Sequence, residues 1–486
     1  MYDYFKHIAL KNSCSMGGVC SVHPSVNSLY ELLIHEIKEI SNYLVKLNEF
    51  KILNPSAMSF CIEILAVFMI NTSFNQRKYL DLIKKLYSLK LQIKEKYVAF
   101  CKENHIPCEI FSSDFELKDN ITINELINIS QEYVINRQKG CDKSKLGLFE
   151  IVKIFARLTA INIIKIKKLE PKYSQYDFEL IRFFALTSAS SIKNEKIKRR
   201  IFEFSKIALK IKTKLYDLYK EKYGEKTNAK VKLSTVSGHS IMVSGDDIDE
   251  LDDLLEAISK SKKNINVYTN GALFLAHLYP HFQNNNFLIG HIGGDSAEYD
   301  FANFEGAILI TRNFVQKIDS LYRGELFSNK LISFDKVFDI QDKNYTPVIK
   351  SALNTKGFLN TEKEKYTEIK YEKENILNSI DEIKETKVAI IVGRQDDYLN
   401  EEYKDNFIIN LNFSYEINFF LEIIEKLKSK NIEITLFFAQ CNMQSLENIL
   451  MLLKSNIKLA MSNCPHAFIN PHITDTLKEE FKINII

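Results

Sequence analysis

A change of hydrophobic period near Gly224 constrains this chain more than any other feature of its sequence. From about Val26 to Tyr223, apolar residues recur at intervals of three and four: Leu29, Leu32, Leu33, Ile37 and Ile40, then Leu82, Ile83, Leu86 and Leu89, then Ile151, Ile154, Phe155, Leu158 and Ile161. That period is one of amphipathic helices. Pro and Gly are scarce there, and loops at 71–75 and 137–145 divide the helices. After Gly224, short apolar runs at 240–244, 265–269, 287–290, 307–311, 388–393, 407–411, 433–438 and 458–462 alternate with amphipathic stretches. Such alternation predicts βαβ units on mostly parallel sheets. A charged, weakly apolar stretch at 361–387 divides the rear half in two. The expected layout is therefore multidomain, α followed by α/β: a helical bundle over 1–225, a first α/β unit over 226–375 and a second over 376–486.

Charge narrows the partners. Lys and Arg number 65 against 62 Asp and Glu, a formal net charge of +3. That balance argues against nucleic acid or an anionic membrane surface. The first residues lack the basic and apolar regions of a signal peptide. The longest apolar run, 62–70, is interrupted by Glu63 and too short for a bilayer. A cytoplasmic location is the expectation, where the 8 cysteines would be thiols or metal ligands before disulfides.

One stretch carries far more information than composition does. It contains Val267-Tyr268-Thr269-Asn270-Gly271-Ala272, then Ala276-His277-Leu278-Tyr279-Pro280, Gly290-His291-Ile292-Gly293-Gly294 and Ile308-Leu309-Ile310-Thr311-Arg312-Asn313-Phe314-Val315-Gln316. In order and spacing these segments resemble the VYTHGE, AxxYP, GxYGG and ILMTTNCIQ segments of the hybrid-cluster (hydroxylamine reductase, or prismane) family. That family is related to nickel–iron carbon monoxide dehydrogenases. Met242-Val243-Ser244-Gly245-Asp246-Asp247 resembles its LVSGHD turn, Tyr345-Thr346-Pro347-Val348-Ile349 its FxPVI segment, and Gly17-Gly18-Val19-Cys20 the end of its first cysteine motif. Cys464-Pro465-His466-Ala467-Phe468 stands where a GPTLPAF-like segment falls. The resemblance spans most of the chain, with the last ~100 residues shortened. It implies a prismane-like fold with two Rossmann-like α/β units.

The resemblance also implies an iron–sulfur–oxygen cluster held by one His, two Glu and several Cys, a donor set suited to iron. Carried over residue by residue, that set is depleted. The motif His is Asp246, whose oxygen can ligate iron but which also suits an acidic helix start. The motif Glu is Ala272 and the motif Cys is Phe314, neither of which offers a donor atom. A further Cys falls on Leu411, and the last Glu falls near Asn442, beside Cys441. Cluster ligands must converge within ~2–2.5 Å of the metals, so Ala, Phe and Leu at these places imply loss of the active cluster.

The amino-terminal cubane motif shows the same erosion, since counting back from Cys14 places the missing cysteine pair at Tyr2 and Phe5. Three readings of Cys14 and Cys20 stay open: two buried thiols acting as small hydrophobes, a redox dithiol or transient metal site on a glycine loop, or half of a 4Fe–4S cluster shared between two subunits.

Other candidates are weaker. The 246–255 segment lacks the central Gly of a calcium loop and reads as an acid-rich helix start, with Ile248, Leu251, Leu254 and Leu255 on one face. The glycine turns at 290–294 and 393 follow strands but match no phosphate motif. Cys441 and Cys464, the latter with His466 and His472, lack a full ligand set. Cys101 and Cys108 flank Pro107 without a partner motif.

Two function classes follow. In the first, the chain is a divergent member that keeps the scaffold without the hybrid cluster, as a non-catalytic binding, regulatory or partner subunit, dimeric or paired with an active relative. In the second it is an iron–sulfur oxidoreductase acting on hydroxylamine or nitric oxide, with a cluster rebuilt on Cys14, Cys20, Asp246, Cys441 and Cys464.

Overall fold

The computed structural model describes residues 24–67, 76–111, 116–118, 120–137, 142–188, 192–293, 297–311, 322, 324–329, 337–393, 403, 405–439, 443–462 and 471–485. Helices come first: α1 (Pro24–Glu49), α2 (Pro55–Leu65), α3 (Gln76–Glu103), α4 (Ile123–Arg137), α5 (Lys143–Leu169), α6 (Asp177–Ala185) and α7 (Asn194–Tyr223). Their starts are capped as their sequences suggest. Asn54 accepts from the Ala57 amide ahead of Pro55, and Asp142 accepts from the Lys145 amide, so α5 begins inside the expected 137–145 loop. Helix α5 is buried on nearly every side from Gly147 to Ala160 and forms the axis of the bundle. Helix α7 stops at Gly224, whose φ of +89° only glycine adopts at low cost.

Beyond Gly224 the chain builds β1 (Ala229–Lys232), β2 (Ser240–Ser244), α8 (Ile248–Ser261), β3 (Asn266–Asn270), a 3-10 turn (Gly271–Leu278), α9 (Pro280–Gln283), β4 (Leu288–His291), α10 (Ala297–Ala302), β5 (Ala307–Ile310), β6 (Leu326–Ser328), β7 (Val337–Asp339) and α11 (Thr346–Asn354). The parallel six-stranded sheet runs in the order β4-β3-β2-β5-β6-β7. Counted from its own first strand that is 3-2-1-4-5-6, the doubly wound order. Strands β2 and β5 are buried at every residue, which explains their unbroken apolar runs.

The charged stretch at 361–387 is more than a divider. It supplies β8 (Tyr366–Ile369), which pairs antiparallel with β1 in a separate two-stranded sheet, and α12 (Lys373–Asp381). Next come β9 (Lys387–Val392), β10 (Phe407–Leu411), α13 (Ile417–Ser429), β11 (Glu433–Phe438), α14 (Met443–Leu452), β12 (Lys458–Met461), α15 (Pro471–Phe481) and β13 (Asn484–Ile485). This second parallel sheet has five strands in the order β10-β9-β11-β12-β13, or 2-1-3-4-5. Helix α15 returns to the bundle, where Glu480 accepts from Ser144 at 2.7 Å and pairs with Lys198 at 2.9 Å.

Helices first and parallel sheets after agree with the expected fold class. Among the described residues, no helix is long and apolar enough to cross a membrane.

Candidate functional site

In a doubly wound sheet, ligands bind beyond the carboxyl ends of the strands where the order reverses. In the first sheet that point lies between β2 and β5. The turn after β2 contains Gly245, with φ of +134°, then Asp246 and Asp247. Asp247 caps α8: its side chain accepts from the Glu250 amide at 3.2 Å. Across the crevice, the Thr311 hydroxyl donates to the Ser244 carbonyl at 3.2 Å and accepts from the Asp247 amide at 3.3 Å. The Asp247 and Glu250 amides, two of those at the helix start, are thus already engaged from within.

Helix α5 closes this point with two lysines. Lys165 donates to the main-chain oxygen and to Oδ2 of Asp246, both at 3.2 Å. One turn on, Lys168 pairs with Asp247 Oδ2 at 2.5 Å. Asp246 keeps 23% of its side chain exposed, whereas Asp247 keeps 5%.

The turn after β3 is tied by Asn270, at the place of the motif His in VYTHGE. Its Oδ1 accepts from the Ser244 hydroxyl at 2.7 Å, and its amide donates to the Ile292 carbonyl at 2.8 Å and to Asp300 at 3.1 Å. Ala272, two residues later, is exposed in the 3-10 turn. Leu411 ends β10, buried at 3% exposure, and its carbonyl accepts from the Gly393 amide at 2.8 Å in the second sheet.

Deeper under the β3 turn, the Thr269 hydroxyl stands 2.9 Å from Nε2 of His277 and 2.9 Å from Nδ1 of His291. One hydroxyl can donate to one ring and accept from the other, so it bridges two neutral imidazoles. Burial lowers His277 to about 4, and burial together with His277 lowers His291 to about 4.

The bundle and the second α/β unit meet through buried polar groups. Glu447 of α14 accepts from Asn162 at 2.5 Å and from Lys212 at 2.8 Å. Lys226 donates to the Ser414 carbonyl at 2.7 Å and pairs with Glu416 at 2.8 Å, with the rings of Tyr216, Tyr279 and Tyr371 within 5.8 Å of its ammonium. Burial pulls Lys226 below the usual lysine range while Glu416 pushes it up. Burial raises Glu416 too, but Lys226, the Tyr371 hydroxyl and Lys373 outweigh it and hold the carboxyl at about 2.

A further set was missed from sequence. His35, Glu36 and Glu39 on α1 offer ligand atoms within 4.8 Å of one another. Lys90 of α3 already supplies a cation there, 2.9 Å from Glu36 and 3.0 Å from Glu39. Spacing of one and four along a helix is the only signal the sequence held.

Of the sequence candidates, Asp246, Ala272 and Leu411 lie in the described residues, while Cys14, Cys20, Phe314, Cys441, Asn442 and Cys464 lie outside them. Ala272 and Leu411 have no donor atoms, and the one carboxylate is paired with an ammonium. These three residues do not fit an iron–sulfur–oxygen cluster.

Helices followed by two doubly wound sheets, with motif turns gathered at a switch point, are the layout the motif resemblance calls for. The chain belongs to the Prismane/CO dehydrogenase family, whose model matches residues 9–457. It is similar to hydroxylamine reductase of Rhodospirillum rubrum, 25% identical over 354 residues, which cover 71% of this chain and 63% of that protein. It is also similar to hydroxylamine reductase of Halothermothrix orenii, 24% identical over 71% of this chain and 63% of the relative, and of Syntrophobacter fumaroxidans, 26% identical over 76% and 68%. The matched region thus spans under two thirds of the length of the first two. A chain from a solved acetyl-CoA synthase/carbon monoxide dehydrogenase structure with Fe4S4-containing nickel clusters aligns over 99% of this chain and 83% of its own, at a TM-score of 0.44 and 9% identity.

Proposed function

We propose that this chain is a divergent family member that has lost the hybrid cluster and serves as a non-catalytic binding or regulatory subunit, pairing with a second copy or an active relative. The observation that carries this reading is the Lys165–Asp246 pair at the switch point. There an ammonium takes the place of a metal cation beside the residue that replaces the motif His. Lys168 on Asp247 supports it, as do Ala272 and Leu411 at motif ligand positions.

A second reading, an iron–sulfur oxidoreductase with a cluster rebuilt or bridging subunits through Cys14 and Cys20, draws its support from the activity named for the relatives. Anaerobic purification with iron, acid-labile sulfide and visible-absorption measurement separates them. Colourless protein without stoichiometric iron is expected. Several irons per chain together with hydroxylamine reduction would overturn the first reading, and iron lost on Cys14→Ser would favour the second.

A further inference from the structure

We propose that Cys101 and Cys108 form a peroxide-reactive dithiol that closes reversibly to an intramolecular disulfide. Cys101 lies in the last turn of α3, and the chain then folds back along that helix. His105, with φ of +53°, makes the reversal, and the Ile106 amide donates to the Cys101 carbonyl at 2.9 Å. Three residues later the Glu109 amide donates to the Tyr97 hydroxyl at 3.3 Å. Tyr97 and Cys101 are four residues apart and share one helix face, with side chains leaning toward the helix start. The returning chain touches residue 101 at 106 and residue 97 at 109, so Cys108 passes over the Cys101 side chain. The Cys101 thiol is close enough to Cys108 to raise its pKa.

The return strand is held in place. Glu109 pairs with Lys46 of α1 at 3.1 Å, and the Tyr43 hydroxyl donates to the Phe111 carbonyl at 3.0 Å. Tyr43 also packs its ring on Tyr97 and Phe111, with centroids 5.7 and 5.1 Å apart. The two thiols differ in access: Cys108 is exposed and Cys101 is buried at 1% exposure. That asymmetry assigns the order of events. The Cys108 thiolate attacks a peroxide oxygen, the O–O bond breaks and water leaves after protonation, giving a sulfenic acid. The Cys101 sulfur then attacks the Cys108 sulfur, the S–S bond forms, the S–O bond breaks and a second water leaves. Two thiols are oxidised by two electrons and one peroxide is reduced. Slight desolvation and the neighbouring Cys101 thiol raise the Cys108 pKa, so the rate climbs with pH. Cys61 is a control within the chain, since burial pushes its thiol up to about 12.

The test treats the whole protein with hydrogen peroxide, blocks remaining thiols with N-ethylmaleimide and digests with trypsin without reductant. Cleavage after Lys96, Lys102 and Lys118 puts the two cysteines on separate peptides, 97–102 and 103–118. These are expected as one linked species that dithiothreitol separates, with Cys61 alkylated only after denaturation. In Cys108→Ser, loss of the Cys101 thiol is expected to slow roughly tenfold or more. In Cys101→Ser, Cys108 is expected to stop at a sulfenic acid trapped by dimedone. Over-oxidation of Cys108 with Cys101 left alkylatable, or linkage of Cys108 to another cysteine, would overturn the proposal.

Discussion

Lys165 holds Asp246 by two contacts at once, 3.2 Å to the main-chain oxygen and 3.2 Å to Oδ2, so the turn after β2 is fastened to the bundle through backbone and side chain together. Both side chains are less than a quarter exposed, at 15% and 23%. Such a pair lies between the exposed and the buried limits, so Lys165→Met is expected to cost about 2 kcal/mol in urea unfolding. The Lys165→Met/Asp246→Asn double variant is expected to cost less than the sum of the two single changes.

Restoring one ligand type at this place is expected not to restore metal. Asp246→His supplies an imidazole, but Ala272 and Leu411 still offer no donor atoms, and a cluster needs several ligands converging. After anaerobic iron–sulfur reconstitution, Asp246→His is expected to match the unaltered chain in iron content. Stoichiometric extra iron in that variant would contradict the proposed loss of the site.

Burial of the two histidines at Thr269 sets an acid limb. His277 and His291 are held at about 4, against 6.5 for the free side chain. Their pKa values are lower in the fold, so the unfolded chain binds more protons between those limits. Stability from this source is complete above about 6.5 and is lost as pH falls toward 4, by up to roughly 3 kcal/mol per histidine. Denaturant midpoints are expected to drop between pH 7 and pH 5, and the drop is expected to shrink in the His277→Gln/His291→Gln variant. Thr269→Val keeps the shape and removes the shared hydroxyl, with an expected cost of about 2 kcal/mol at pH 7.

How far the sequence reaches depends on burial and on separation along the chain. The runs at 240–244, 407–411 and 433–438 coincide with β2, β10 and β11: Ile241–Val243 and Leu436–Phe438 are buried apolar residues, while β10 shows Phe407, Ile408 and Ile409 before the exposed Asn410. Strands β6 and β7 have three residues each and β13 two, too few to show a period. Pairing of β1 with β8 joins Ala229 to Ile369 through half-exposed strands, which no local pattern reveals. Asp246 and Ala272 were legible as motif positions, but the lysine facing Asp246, Lys165, comes from α5, 81 residues earlier. Cys101 and Cys108 were visible as a pair, yet only the fold-back after α3 brings the thiols together.

Gly293 follows β4 with φ of +132°. A Cβ added there would lie 2.3 Å from the Asn270 amide nitrogen and 2.6 Å from Asp300 Oδ2. Asn270 cannot yield without giving up its bonds to Ser244 and Ile292. Strain and lost hydrogen bonds add, so Gly293→Ala is expected to destabilise by about 2–4 kcal/mol in thermal or denaturant unfolding.

Lys226 and Glu416 give the sharpest test of how the parts are joined. Lys226 follows the bundle, Glu416 precedes α13 of the second sheet, and Tyr371 links them from the β8 side by donating to Glu416 at 2.6 Å. Side-chain exposures of 9% and 13% make this a buried pair. Removing one partner leaves a desolvated charge, so Lys226→Met is expected to cost about 3–5 kcal/mol, whereas Lys226→Met/Glu416→Gln is expected to recover much of it. Glu416 is held at about 2, below its ordinary 4.5, so its contribution is complete above that ordinary value and is lost as pH falls from there toward 2. If the pair fastens the second sheet to the bundle, Lys226→Met is also expected to split a single unfolding transition into two, with the sheet melting first. Calorimetry reads this directly, and one unsplit transition at an unchanged midpoint would show that the pair is not what joins them.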